Sequence, residues 1–168
     1  MATTQTQICP VHQIEPPRMN APFVRTLVVD DRPAMSLAVS AILAEHPWIN
    51  VIGNERDGLS AVKTALTERP DLIVMDLNMP VMNGLKATMH IKQRLPETRV
   101  LIMSSDDDPE IALAAMDCGA DGFIPKASLT KKRDWHIRRL FGDELHAGKS
   151  SRKEALVYRL LTTNDIPQ

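Results

Sequence analysis

Between residues 24 and 142 the chain alternates short apolar runs with longer stretches whose apolar positions recur every three or four residues. Val24-Arg25-Thr26-Leu27-Val28-Val29 is a β-rich run that stops abruptly at Asp30-Asp31. Pro33 follows, and suits the first turn of a helix, where its missing N–H costs nothing. Met35, Leu37, Ala38, Ile42 and Leu43 give that helix its expected buried face, and His46-Pro47 closes it. The same unit then recurs. Ile49–Ile52 reads as a second strand and Leu59–Leu66 as a second helix, Asp71–Asp76 as a third strand and Gly84–Leu95 as a third helix. Arg99–Met103 is a fourth strand, Pro109–Cys118 a helix stopped by Gly119, Gly122–Pro125 a fifth strand, and Leu129–Phe141 a fifth helix.

Strands and helices in strict alternation predict an α/β domain with a parallel sheet covered by helices on both faces. Leu72–Met75 and Val100–Met103 are apolar without a two-residue period, as expected of strands buried on both sides. Outside this domain, placed at residues 23–142, the pattern fails. Residues 1–22 hold Pro10, Pro16, Pro17 and Pro22 among Thr, Gln and His, with no helix or strand period, and are expected to be a flexible arm. Residues 143–168 are expected to be a basic tail, with Ser151–Leu161 as one short helix carrying Leu156, Val157, Leu160 and Leu161 along one side.

Charge sharpens that division. The 168 residues carry a net charge of −1, but residues 126–168 hold ten Lys/Arg against five Asp/Glu, leaving the rest of the chain at −6. An acidic body with a basic tail implies two pieces with different roles. Cys9 and Cys118 cannot make a disulfide framework. Cys9 and His12 would supply half of a metal site, but no second pair follows, so both cysteines read as reduced thiols. No apolar run approaches the roughly 20 residues that span a bilayer, no secretory signal precedes the domain, and the expected location is cytoplasmic.

The chemistry-bearing residues collect at strand ends. Asp30 and Asp31 follow the first strand, Asp76 ends the third, Ser104 follows the fourth and Lys126 follows the fifth. In an open parallel sheet the reactive crevice lies beyond the carboxyl ends of the strands, and right-handed crossovers bring all five residues to that edge. Taken singly each has an ordinary reading: Asp30 and Asp31 as helix caps, Asp76 as a turn former, Ser104 as a cap displaced by better candidates at Asp106–Asp108, Lys126 as a surface charge. Taken together they are three carboxylates that repel one another unless a cation sits among them. Oxygen ligands without His or Cys suit Mg²⁺ rather than zinc. A lysine and a hydroxyl facing such a metal complement an anion, most simply a phosphoryl group, and aspartate is an established covalent acceptor of one.

Val28-Val29-Asp30-Asp31, Asp76-Leu77-Asn78-Met79-Pro80 with Asn83-Gly84, Met103-Ser104-Ser105, and Gly119-Ala120-Asp121-Gly122-Phe123-Ile124-Pro125-Lys126 together resemble the receiver domain of bacterial response regulators, over about residues 24–142. The resemblance implies a doubly wound five-stranded sheet in the flavodoxin-like order 2-1-3-4-5. It implies that Asp76 accepts phosphate from a sensor histidine kinase or phosphotransfer protein. Asp31, Asp76 and the backbone carbonyl of Asn78 would ligate Mg²⁺, with Asp30 acting mainly through water. Lys126 would hold the phosphoryl oxygens, while Ser104 moves onto the phosphate and lets Phe123 turn inward. That couples the site to a partner-docking face made of the fourth helix, fifth strand and fifth helix. By the same resemblance, Asp106 stands where the family tunes phosphate lifetime. The Phe-Ile-Pro-Lys-Ala-Ser wording at 123–128 is similar to receivers joined to LuxR/NarL-type helix-turn-helix domains.

Three other functions compete. A LuxR-type DNA-binding output needs four helices, and the 26 residues after Gly142 are too few for it, so DNA binding would fall to the basic tail alone. A phosphatase of the haloacid dehalogenase class needs a second Asp two residues beyond its nucleophile, where this chain has Asn78, which cannot serve as that acid. A scaffold independent of phosphorylation would have no use for a fully occupied acid pocket. The expected protein is therefore a signalling module, not an enzyme with an external substrate.

Overall fold

The computed structural model describes residues 23–129. Five strands, β1 (Val24–Val29), β2 (Ile49–Glu55), β3 (Leu72–Asp76), β4 (Arg99–Ser104) and β5 (Gly122–Pro125), alternate with four helices, α1 (Pro33–Ala44), α2 (Gly58–Glu68), α3 (Gly84–Arg94) and α4 (Pro109–Asp117). All strand pairs are parallel, and the sheet runs β2-β1-β3-β4-β5. The expected class and strand order are both observed. A 3₁₀ turn, Lys126–Ser128, follows β5. The expected fifth helix, N-terminal arm and basic tail lie outside the described residues.

Alternation along each strand sends successive side chains to opposite faces, which divides the core in two. Leu27, Val29, Ile73, Met75, Val100 and Ile102 face Ala61, Val62 and Ala65 of α2 and Ala87 and Ile91 of α3. Val28, Leu72, Val74, Leu101, Met103 and Ile124 face Val39 and Leu43 of α1. The central strand β3 is buried along its whole length, which accounts for its unbroken apolar run. Each Leu, Ile or Val sealed in this way contributes about 1.5–3 kcal/mol. The small residues of α2 and α3 (Ala61, Ala65, Ala87) bring the helices close to the sheet.

Two local expectations are corrected. The buried face of α1 is Ser36, Val39 and Leu43, whereas Leu37 is 69% exposed and Ala38 is exposed. The phase is rotated because polar partners hold it: the Ser36 and Ser40 hydroxyls donate to Asn54 Oδ1 on β2, at 2.7 and 2.9 Å. β2 also runs three residues past Ile52, to Glu55. Its register against β1 shifts between Thr26 and Leu27, where Val51 and then Gly53 are the partners, so Ile52 is a bulged residue. Beyond the bulge the polar Asn54 and Glu55 continue the ladder on an edge strand, where hydropathy alone does not reveal it.

Candidate functional site

At the carboxyl edge of the sheet the strand ends deliver their side chains into one crevice. Hydrogen bonding fixes Asp30, which follows β1, from both sides: its N–H donates to the Glu55 carbonyl (3.0 Å), and its Oδ1 accepts from the Arg32 N–H (3.0 Å). Asp76 ends β3 in register with Met103 of β4. Lys126 enters from the turn after β5, and its ammonium lies 2.6 Å from Asp30 Oδ2 and 2.9 Å from Asp76 Oδ2. Lys126 is 9% exposed and Asp30 is wholly buried, so this is a desolvated contact in which one ammonium holds two carboxylates. A buried charge is tolerable only when so partnered.

Asp31 completes the group from the exposed side. Carboxylate oxygens of Asp30, Asp31 and Asp76 lie within 4.8 Å of one another. The donor set is oxygen throughout, and three carboxylates against one buried ammonium leave an excess of negative charge, which matches a hard divalent cation. Asp30 has its two oxygens engaged by Lys126 and the Arg32 N–H, and Asp76 has its two by Lys126 and the Asn78 N–H, so the exposed Asp31 has the most freedom as a direct ligand.

The loop after β3 approaches unusually closely. The N–H of Gly84 donates to the Leu77 carbonyl (2.8 Å), and a Cβ at Gly84 would stand 2.4 Å from the Asp76 carbonyl oxygen. Any side chain there would push α3 away from Asp76. Gly58 plays the matching part on α2, against the Met82 carbonyl. Between them Val81 sits at φ 65° and is 81% exposed, a β-branched residue in the left-handed region, where strain costs about 1–2 kcal/mol. Asn78 is exposed in this loop, its N–H directed at Asp76 Oδ1 over 3.4 Å.

Ser104 is buried at the end of β4, and its Oγ accepts the Asp106 N–H at 3.0 Å. That hydroxyl still has its own proton to donate. The α4 cap is Asp108, which accepts from the Glu110 N–H (2.8 Å), so Ser104 is not spent on capping. Phe123 is half-buried and packs against the core on the α2–α3 side of the sheet.

Asp30, Asp31, Asp76, Ser104 and Lys126 lie at this edge, whereas Phe123 pairs with Ile102, two positions before Ser104 on β4, and packs on the core. Sequence reading missed the Glu55 carbonyl and Arg32. The first carries no side-chain signal. The second had one, an arginine directly after the two acids, but its direction depends on the fold.

The comparisons agree with this geometry. Residues 26–133 match the family model described as response regulator receiver domain. A protein-glutamate methylesterase/protein-glutamine glutaminase of Pseudomonas fluorescens is 37% identical over 138 residues, covering 80% of this chain and 36% of that protein. The chain thus spans little more than a third of the length of such curated relatives. Among solved structures, the response regulator domain of Thermotoga maritima CheB is similar at 31% identity and TM-score 0.58, over 86% of this chain and 99% of that one. The signal receiver domain of NarL from Mycobacterium tuberculosis is similar at 29% identity and TM-score 0.60, over 82% and 94%.

Proposed function

Since the chain belongs to the response regulator receiver family, we propose that it is a phosphoacceptor module whose Asp76 takes a phosphoryl group from a sensor histidine kinase or phosphotransfer protein. The observation that carries this reading is the Lys126 ammonium bridging Asp30 and Asp76 beside an acid cluster open to solvent at Asp31.

In this reading Asp31, Asp76 and the Asn78 carbonyl would hold Mg²⁺, with Asp30 acting through water, and the ion would supply neutralisation of charge on the transferring group. The chain's own residues do the rest. An Asp76 carboxylate oxygen attacks phosphorus in line, and the phosphorus–nitrogen bond to the donor histidine breaks. Lys126 exchanges its contact with Asp76 for one with a phosphoryl oxygen. Ser104 donates its hydroxyl proton to another, and this draws in the β4–α4 loop and gives Phe123 room to turn inward. The new dianion supplies the differential interaction that any switch requires. The docking face would comprise α4, β5 and the segment after Lys126. The module catalyses only its own phosphorylation and dephosphorylation. No helix among the described residues is long and apolar enough to cross a membrane, and donor and target would be met in the cytoplasm.

Acetyl phosphate with Mg²⁺ is expected to add one phosphoryl group to the wild-type chain and none to Asp76→Asn, read by intact mass. A wild-type mass unchanged under those conditions, with no response to beryllofluoride, overturns the proposal. The methylesterase relatives support a second, more specific reading, in which the receiver governs a protein-glutamate methylesterase activity. Stimulation of such an enzyme by the phosphorylated chain, absent with Asp76→Asn, would support that reading.

A further inference from the structure

Helix α1 has a favourable Pro33 in its first turn but an unfavourable N-cap. Its N-cap position holds Arg32, which makes no side-chain capping hydrogen bond, and its first turn has no acidic residue. Ser, Thr, Asp or Asn ordinarily accepts a first-turn N–H there, and the positive end of a helix repels a cation. The guanidinium instead turns back on the acid pocket. Its Nε lies 3.7 Å from Asp30 Oδ1, the same oxygen that accepts the Arg32 N–H. The Arg32 side chain is 53% exposed whereas that of Asp30 is wholly buried, so the guanidinium stands on the solvent side of the crevice, opposite Lys126.

We infer that Arg32 is a positioning residue that sets the charge of the pocket, weakening its hold on a divalent cation and strengthening its hold on a phosphoryl anion. The inference rests on the phosphoacceptor reading above. Coulomb's law requires the opposed signs: one added positive charge at the mouth repels an entering cation and attracts an entering anion. With Arg32 present, three carboxylates face two cations; without it they face one. The half-exposed side chain keeps the effect moderate and sensitive to salt.

The test uses the full chain and two variants, Arg32→Gln and Arg32→Lys. Mn²⁺ affinity is read from the electron paramagnetic resonance of the free ion without any phosphodonor, and beryllofluoride affinity is read in saturating Mg²⁺. Arg32→Gln is expected to bind Mn²⁺ about threefold more tightly at low salt and beryllofluoride about threefold more weakly. Both differences should shrink at high salt, and Arg32→Lys should restore wild-type behaviour. A merely structural loss at the helix start would move both affinities the same way. Such a common shift, or no shift with a wild type that binds both ligands, overturns the role of Arg32 and leaves the phosphoacceptor reading intact. A wild type that binds neither ligand overturns both.

Discussion

The two edges of the sheet are both lined with charged and polar side chains, and they use them in opposite ways. At the amino edge Arg25, Asp71, Lys92 and Asp121 are each tied to main chain. Asp71 Oδ2 accepts the Arg25 N–H at 2.8 Å, while the Arg25 guanidinium reaches the Glu68 carbonyl and carboxylate. Asp121 Oδ2 accepts both the Val100 N–H and the Lys92 ammonium, each at 2.9 Å, and that ammonium also meets the Pro96 and Thr98 carbonyls. The Thr98 hydroxyl donates to the Pro70 carbonyl. These groups neutralise one another and stitch consecutive β/α units together. At the carboxyl edge Lys126 holds two carboxylates, a third, Asp31, lies beside them, and Arg32 stands at the rim. Polar residues at strand ends are thus no sign of function by themselves. What distinguishes the working edge is charge that its neighbours leave unbalanced.

The contrast predicts effects of different sign, and the largest should come from the buried Lys126. Lys126→Ala leaves Asp30 buried without its ammonium and is expected to lower unfolding free energy by about 3 kcal/mol in urea. Millimolar Mg²⁺ should recover part of that loss by binding the folded state. Asp121→Ala at the opposite edge orphans the Val100 N–H and leaves the Lys92 ammonium with carbonyl partners alone, and about 2 kcal/mol should be lost with no recovery by Mg²⁺. If Mg²⁺ rescued both variants alike, the distinction between the edges would collapse. Asp76→Asn should go the other way. Removing one of three mutually repelling carboxylates is expected to raise stability by about 1 kcal/mol without divalent ions, and Mg²⁺ should stabilise this variant less than the wild type.

An effect of similar size serves as a control at a helix cap that belongs to neither charge cluster. Asp57 caps α2, accepting the Ser60 N–H and hydroxyl at 2.9 and 2.8 Å. The Ser60 N–H, then its hydroxyl, hold the Asp57 carboxyl below its ordinary value of 3.8. The stabilisation is therefore complete above that ordinary value and disappears as pH falls through the lower folded one. Asp57→Ala should cost about 1 kcal/mol at neutral pH, and the difference from wild type should narrow at acid pH. A gap that stayed constant down to full protonation would show that the carboxylate charge plays no part.

Much of this molecule is legible in one dimension because the relevant physics is local. Leu72–Met75 and Val100–Met103 read as doubly buried strands, since a parallel sheet under two helical layers leaves no polar face. The alternation of strands with helices then sends Asp30, Asp31, Asp76, Ser104 and Lys126 to a common edge, because every strand of a parallel sheet ends on the same side. Reading failed where a contact outweighed hydropathy. Leu37 was placed in the core and Ser36 was not, because Asn54, fourteen to eighteen residues away, draws Ser36 and Ser40 inward. β2 was cut short at Ile52 because its continuation is a polar edge that only the β1 ladder identifies.

The amino-acid order by itself determined the layers, the strand ends and the kinds of group brought to the crevice. Only the tertiary structure decided how those groups are apportioned: that one ammonium holds Asp30 and Asp76 together, that Asp31 faces solvent, and that Arg32 bends back to the rim. The reason is distance along the chain. Lys126 and Asp30 are separated by 96 residues, and a charge acquires its partner only when folding has closed that gap and excluded the water that would otherwise screen it.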